Sequence, residues 1–324
     1  MLLSKNKQKP VTEIDQHVLK NIAGTNGRHY KSLIDNLNTY PIPEIPIARA
    51  VEGSLFLDIG VGWGRWMVAA AKKGYLPIGI DVKPESCFAA SNVLNQHGYN
   101  GFLVVADLNN LPFKENTFDF IWSFSVLQHT HRTRIAACIK ESYRILNANG
   151  EVKIEFPTSN GLWNKAVKIL RSKNEEDDYD SWCVRYFSIK ELKKLFTPTF
   201  SNVHFLAHCF GGIGILKEDL KHVKLIYKPW IILSLGFTFL ANKISPLIYL
   251  ADSIYITAQK KAIHTTGKKM IKTKEDFYNI LQCPITKESL EIDGDFLVSA
   301  VSRNRYPIIN NVPHLMESYL IKNE

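Results

Sequence analysis

At 324 residues, 45% of them apolar and 22% charged, the chain is long and apolar enough for one large domain and a smaller one, and a wholly disordered chain is excluded. Forty basic residues against 31 acidic ones leave a formal charge of +9. That suits an anionic partner such as nucleic acid, a nucleotide-linked substrate or an anionic membrane surface, although a solvated basic surface has the same composition.

Cys87, Cys138, Cys183, Cys209 and Cys283 form no CxxC pair, so neither a disulfide framework nor a zinc knot is indicated. A reducing, cytoplasmic setting is the expectation. The opening MLLSKNKQKP lacks an apolar core followed by a small-residue cleavage site, which argues against secretion. Residues 1–50 read as a helix and then an extended, proline-punctuated lead-in, YPIPEIPIARA, a candidate lid.

From Ser54 to about Phe156 strands alternate with helices. Strands are expected near 54–59, 76–81, 101–106, 118–124 and 150–157, with helices near 65–73, 84–97 and 131–147. This succession predicts an α/β fold, a doubly wound and mostly parallel sheet.

The first strand ends in LFLDIGVGWGRW, where Asp58 precedes Gly60, Gly62 and Gly64. Three glycines allow a tight turn and close approach of a ligand to the main chain. Arg65 stands where a dinucleotide fingerprint has its third glycine. Asp81 ends the second strand, followed by Val82, and can accept both hydroxyls of a ribose. Asp107 ends the third strand and can receive the exocyclic amine of adenine while the backbone of Leu108 pairs with the ring. Ser123 and Phe124 end the fourth strand, on the carboxyl edge where ligands of such sheets bind.

His129 and His131 follow that strand. His129 is the candidate base for removing a hydroxyl proton, since histidine titrates near neutrality; a loop histidine bonded to backbone is the alternative. An insertion over 159–184 contains the acidic run NEEDDYD. Arg185 either clamps an anionic substrate group or pairs with that run. SIKELKKLF has the capping-box spacing of Ser188 and Glu191. Strands at 202–209 and 252–259 flank a largely apolar helical insertion, 211–250. Its longest apolar stretch, Trp230–Ala241, is about half of the roughly 20 residues that span a bilayer. A lid over a hydrophobic substrate, a peripheral membrane contact through 228–250, a dimer interface and plain core packing remain open for it. Residues 261–274 read as a basic linker and 275–324 as a small α+β mini-domain.

In their order, DIGVGWG, GID, ADLNNLPF, FDFIWSFSVLQHT and YRILNANGEVKIEFP resemble the successive motifs of class I S-adenosylmethionine-dependent methyltransferases, the ubiquinone- and menaquinone-biosynthesis group most of all. The resemblance covers about residues 50–260. It implies a seven-stranded Rossmann-like sheet whose last two strands form an antiparallel hairpin. It also implies S-adenosylmethionine as cofactor, with Gly60, Gly62, Asp81, Asp107 and Leu108 at the family's binding positions. Asp58 would orient the glycine turn or meet the methionine ammonium through water.

No DPPY or NPPY follows the fourth strand, a departure from enzymes that methylate exocyclic or amide nitrogens. The expected acceptor is a hydroxyl or carbon of a small molecule: a sugar, a lipid or a polyprenyl-linked intermediate. Transfer RNA and a non-catalytic scaffold are the alternatives. Between 283 and 316, CP, KESL, DFLVS and YPIINNVPHLM resemble the small activator subunit of transfer-RNA and protein methyltransferases. Thr286 stands where that family's zinc-binding members have a second cysteine, so no metal is expected. The sequence leaves the oligomeric state open.

Overall fold

The computed structural model describes residues 14, 18–19, 21–22, 37, 39–170, 183–212, 216–217, 220, 223–261 and 270–321. The acidic run of the first insertion and residues 262–269 of the expected linker lie outside the described residues.

In chain order the alternating region holds β1 (Leu55–Ile59), α1 (Arg65–Lys72), β2 (Leu76–Asp81), α2 (Pro84–Gln96), β3 (Phe102–Ala106), β4 (Phe118–Ser123), α3 (Arg132–Ile145) and β5 (Leu146–Pro157). There follow α4 (Leu162–Leu170), α5 (Ile189–Phe196), β6 (Ser201–Cys209), α6 (Lys228–Ala241) and β7 (Ser253–Gln259). The last part holds α7 (Lys274–Tyr278), β8 (Leu290–Asp293), β9 (Phe296–Ser299), β10 (Arg305–Ile309) and β11 (Val312–Leu315). The chain divides into two compact units, Met1–Asp107 with Lys268–Glu324, and Leu108–Gly267.

In the first unit the strands run β1-β2-β3-β11-β10-β9-β8. The pairs β1–β2, β2–β3 and β3–β11 are parallel; β11–β10, β10–β9 and β9–β8 are antiparallel. All five β1 residues are buried, as a strand covered on both faces requires. Pro84 opens α2 at a position whose missing N–H costs the helix nothing. Under the sheet, Val61, Trp63 and Met67 pack with Cys87, Val93, Leu103 and Val312. Ile14, Val18, Leu19, Ile22 and Tyr40 of the lead-in belong to the same cluster.

The expected count of seven strands is corrected: eleven are present among the described residues. The C-terminal segment supplies four, and its last strand places His314 opposite Val105 and Leu315 opposite Ala106. A bare β3 edge would expose a row of backbone donors and acceptors; β11 satisfies them. The tail therefore continues the first unit's mixed sheet and is not a mini-domain set apart from it.

In the second unit the order is β6-β7-β5-β4, with β4–β5 parallel and β5–β7 and β7–β6 antiparallel. The expected terminal hairpin is thus present. At α5, Ser188 Oγ accepts the Glu191 amide at 3.2 Å while Glu191 accepts the Ser188 amide at 2.7 Å, the reciprocal cap its spacing predicts. Within the expected helical insertion, the described residues hold 3-10 turns at Leu225–Tyr227 and Ser245–Leu250 on either side of α6. Gly211 and Gly212 leave β6 in the left-handed region, and α6 starts only at Lys228, with Pro229 in its first turn.

Candidate active site

In the first unit, β1 delivers Asp58 to the start of the glycine turn. Gly60, Gly62 and Gly64 take φ of 77°, 54° and 87°, a conformation that favours glycine. The amides of Gly60 and Val61 both donate to the Ile80 carbonyl at 2.9 Å, which pins the turn to β2. A Cβ on Gly64 would come within 2.9 Å of the Ala90 backbone, so that glycine lets α1 and α2 pack. A Cβ on Gly62 would meet nothing within 4 Å: this glycine faces open space and leaves room for a ligand against main chain.

Asp81 closes β2. Its Oδ2 accepts the Gly62 amide at 3.1 Å and its Oδ1 the Lys83 amide at 3.0 Å, while burial pushes its pKa up and those amides pull it down. Two backbone bonds fix the carboxylate plane and leave acceptor capacity for further donors. Val82, beside it, is exposed.

Asp58 is only 1% exposed, and neither of its oxygens meets a hydrogen-bond partner among the described residues. Burial raises its pKa to about 8, against the pull of Arg65 and with a smaller push from Asp81. A buried carboxyl group with two unsatisfied oxygens calls for a cationic donor. The glycine cradle, the held Asp81 and the unsatisfied Asp58 together suit a ligand that carries ribose hydroxyls and an ammonium group. Asp107 follows β3, half-buried, at the end of this unit.

In the second unit, Leu108 opens a short 3-10 turn, Leu108–Asn110, and is half-buried. Ser123 is fully buried at the end of β4. Phe124 stacks on Trp122 and meets His208 edge-on at 5.2 Å. Ser125 takes φ 57°, and its amide and hydroxyl both donate to Glu155 Oε2, at 3.1 and 2.8 Å.

His129 ends a 3-10 turn, half-buried, its Nδ1 3.1 Å from the Cys183 carbonyl. A carbonyl can only accept, so Nδ1 carries the proton and Nε2 the lone pair. Burial lowers the His129 pKa, with the Arg185 charge acting in the same direction and the carbonyl bond opposing, so the ring is neutral near pH 7. His131 instead caps α3, its side chain accepting the Thr133 amide.

Arg185 is 1% exposed, and its guanidinium donates to the His129 carbonyl at 3.0 Å. The Arg185 amide donates to the Gln128 carbonyl at 3.0 Å. The structure therefore joins His129 and Arg185 in one loop pair. Arg185, the candidate clamp for an anionic substrate group, thus lies buried against main chain.

Sequence reasoning missed Glu155 and His208. Glu155 is 4% exposed on β5, in KIEFP between the core residues Ile154 and Phe156. A carboxylate in the middle of a covered strand was the available signal. Within the lead-in it did not single out Tyr40, whose ring stacks on Trp63 of the glycine turn at 5.9 Å and whose hydroxyl donates to Gln96 at 2.7 Å.

Residues 56–150 match the family model described as a methyltransferase domain. A probable tRNA methyltransferase 9B of Bos taurus is 33% identical over 36% of this chain and 26% of its own length. A malonyl-[acyl-carrier protein] O-methyltransferase of Buchnera aphidicola is 25% identical over 53% of this chain and 70% of its own. Among solved structures, an S-adenosylmethionine-dependent methyltransferase of Methanosarcina mazei superposes with a TM-score of 0.47 at 18% identity, covering 66% of this chain and 95% of that one. Three curated relatives match, and the chain spans 60%, 26% and 70% of their lengths. Residues 56–150 are therefore similar to methyltransferase domains.

Proposed function

We propose that this protein transfers the methyl group of S-adenosylmethionine to a hydroxyl or carbon of a small-molecule acceptor. The observation that carries the reading is the buried, unsatisfied Asp58 beside an open glycine cradle and a backbone-held Asp81. When bound, the cofactor supplies a sulfonium-activated methyl group. Asp81 accepts from the ribose hydroxyls, Asp58 takes the ammonium, and the turn at Gly60, Gly62 and Gly64 receives the ligand against main chain. Asp107 and the Leu108 backbone read the adenine, Val82 packs on it, and Ser123 and Phe124 complete the cofactor residues. The lead-in, held through Tyr40 on Trp63, acts as the cover of this site and keeps water out.

On the acceptor side, His129 is neutral with its lone pair at Nε2, the state a general base needs. Arg185 positions it by holding its carbonyl. Alignment and water exclusion do the remaining work, so no metal step is needed. Transfer RNA is the second reading, favoured by the net charge of +9. A screen with methyl-labelled cofactor against small-molecule, lipid and RNA fractions tests both. Label in a small-molecule or lipid fraction that falls with His129→Gln supports the first reading; label in RNA alone replaces it with the second; label in none returns the protein to a scaffold role.

A further inference from the structure

The stretch between β6 and β7 carries an apolar surface that the methyl-transfer reading does not use. An ordinary surface helix hides one apolar stripe and turns charge outward. In α6, KPWIILSLGFTFLA, Ile231, Ser234 and Ala241 are buried, while Ile232, Leu233, Phe237, Phe239 and Leu240 stay exposed. Just before it, Leu225 and Ile226 are 79% and 80% exposed; after it, Ile244, Tyr249 and Leu250 continue the surface. Fourteen residues at 1.5 Å per residue make α6 about 21 Å long, short of the ~30 Å hydrocarbon thickness of a bilayer. No helix among the described residues is long and apolar enough to cross a membrane.

Charge on this stretch has one sign. From residue 220 to 251 the sequence contains no Asp or Glu, whereas Lys221, Lys224, Lys228 and Lys243 border the apolar run. Lys243 Nζ lies over the Phe239 ring, 5.9 Å from its centroid, so a cation sits directly on the apolar surface.

Behind α6 lies a cavity of about 220 Å³ between Trp163 of α4 and Trp230 of α6, with Phe210, Leu233 and Phe237 as further walls. Ser234 is the polar side chain in its lining, and its hydroxyl is occupied: it donates to the Phe210 carbonyl at 2.7 Å and accepts the Phe210 amide at 3.2 Å. A Cβ on Gly211 would come within 2.9 Å of the Trp230 ring, and one on Gly212 within 2.2 Å of the Trp163 ring. The chain is bare where the two indoles close the slot. A slot with so apolar a lining accepts hydrocarbon and nothing charged.

We propose that residues 225–250 dock on an anionic lipid bilayer, with the slot between Trp163 and Trp230 receiving a hydrocarbon chain of a bilayer lipid. Apolar area supplies the attachment, at about fourfold in affinity per methylene buried, and the lysine border adds attraction to anionic headgroups. Docking and methyl transfer are separate properties, so failure of one leaves the other standing.

Vesicle flotation with the full-length protein tests this, using phosphatidylcholine vesicles and vesicles that also contain phosphatidylserine. Binding is expected on the anionic vesicles, with a loss of tenfold or more for Ile226→Glu and Ile232→Glu, both exposed positions whose circular dichroism should match wild type. Bromine-labelled acyl chains should quench tryptophan emission, and Trp230→Phe should reduce that quenching. No flotation on anionic vesicles at low salt overturns the proposal. So does flotation that both glutamate variants retain, or a concentration-dependent dimer that Ile232→Glu dissolves without any vesicle binding.

Discussion

The Arg185 guanidinium donates to the main-chain carbonyl of His129 at 3.0 Å, so a fully buried cation sets the position of the candidate base. Truncating one partner of a buried hydrogen-bonded charge leaves carbonyls unsatisfied and lets the turn relax. Arg185→Gln should lower turnover about 10- to 100-fold with cofactor affinity changed less than threefold, and Arg185→Lys should recover part of the loss. His129→Gln should give the same split without the rescue. Steady-state kinetics with cofactor titration checks it; a parallel fall in cofactor affinity would contradict it.

Asp58 makes the free protein's stability pH-dependent. Its folded-state pKa is near 8, against 3.8 for an ordinary aspartate, so between those values the folded chain holds a proton that the unfolded chain has released. Rising pH therefore favours unfolding across that window, and the effect ends above about 8. Thermal melts should fall from pH 5 toward pH 8, and Asp58→Asn, which needs no proton to stay neutral, should flatten the profile. A wild-type curve that rises through this range would contradict the assignment.

The two neighbouring glycines should fail differently. Alanine at Gly64 meets the Ala90 backbone and a left-handed φ, so Gly64→Ala should cost about 2–4 kcal/mol of stability. Alanine at Gly62 meets no atom within 4 Å and pays only the left-handed penalty, about 1–2 kcal/mol, yet its methyl fills the cradle. Denaturant unfolding and cofactor titration should thus separate them, with the larger stability loss at Gly64 and the larger affinity loss per unit of stability at Gly62.

Much of the alternating region was legible because its signals are local. Strand runs such as LFLDI, turn glycines and the Ser188–Glu191 spacing act over a few residues, and each element formed within a few residues of its expected place. The long-range pairing of β11 with β3 was not legible, since VPHL contains nothing that names its partner edge. The same holds at the site. Asp58 and Asp81 stand at strand ends, readable from the pattern, whereas the link from Arg185 to the carbonyl of His129 joins segments 56 residues apart and depends on tertiary packing. Glu155 showed a signal only as a charge in a covered strand, which structural ion pairs give equally well.

Calorimetric titration of the protein with S-adenosylmethionine, at pH 7 in two buffers of different ionisation enthalpy, reaches the central claim most directly. The account predicts saturable binding, an enthalpy that changes with buffer as Asp58 gives up its proton to meet the ligand's ammonium, loss of that buffer dependence in Asp58→Asn, and at least tenfold weaker binding in Asp81→Ala. Absence of binding to a folded protein, or equal affinity in wild type and Asp81→Ala, would contradict it.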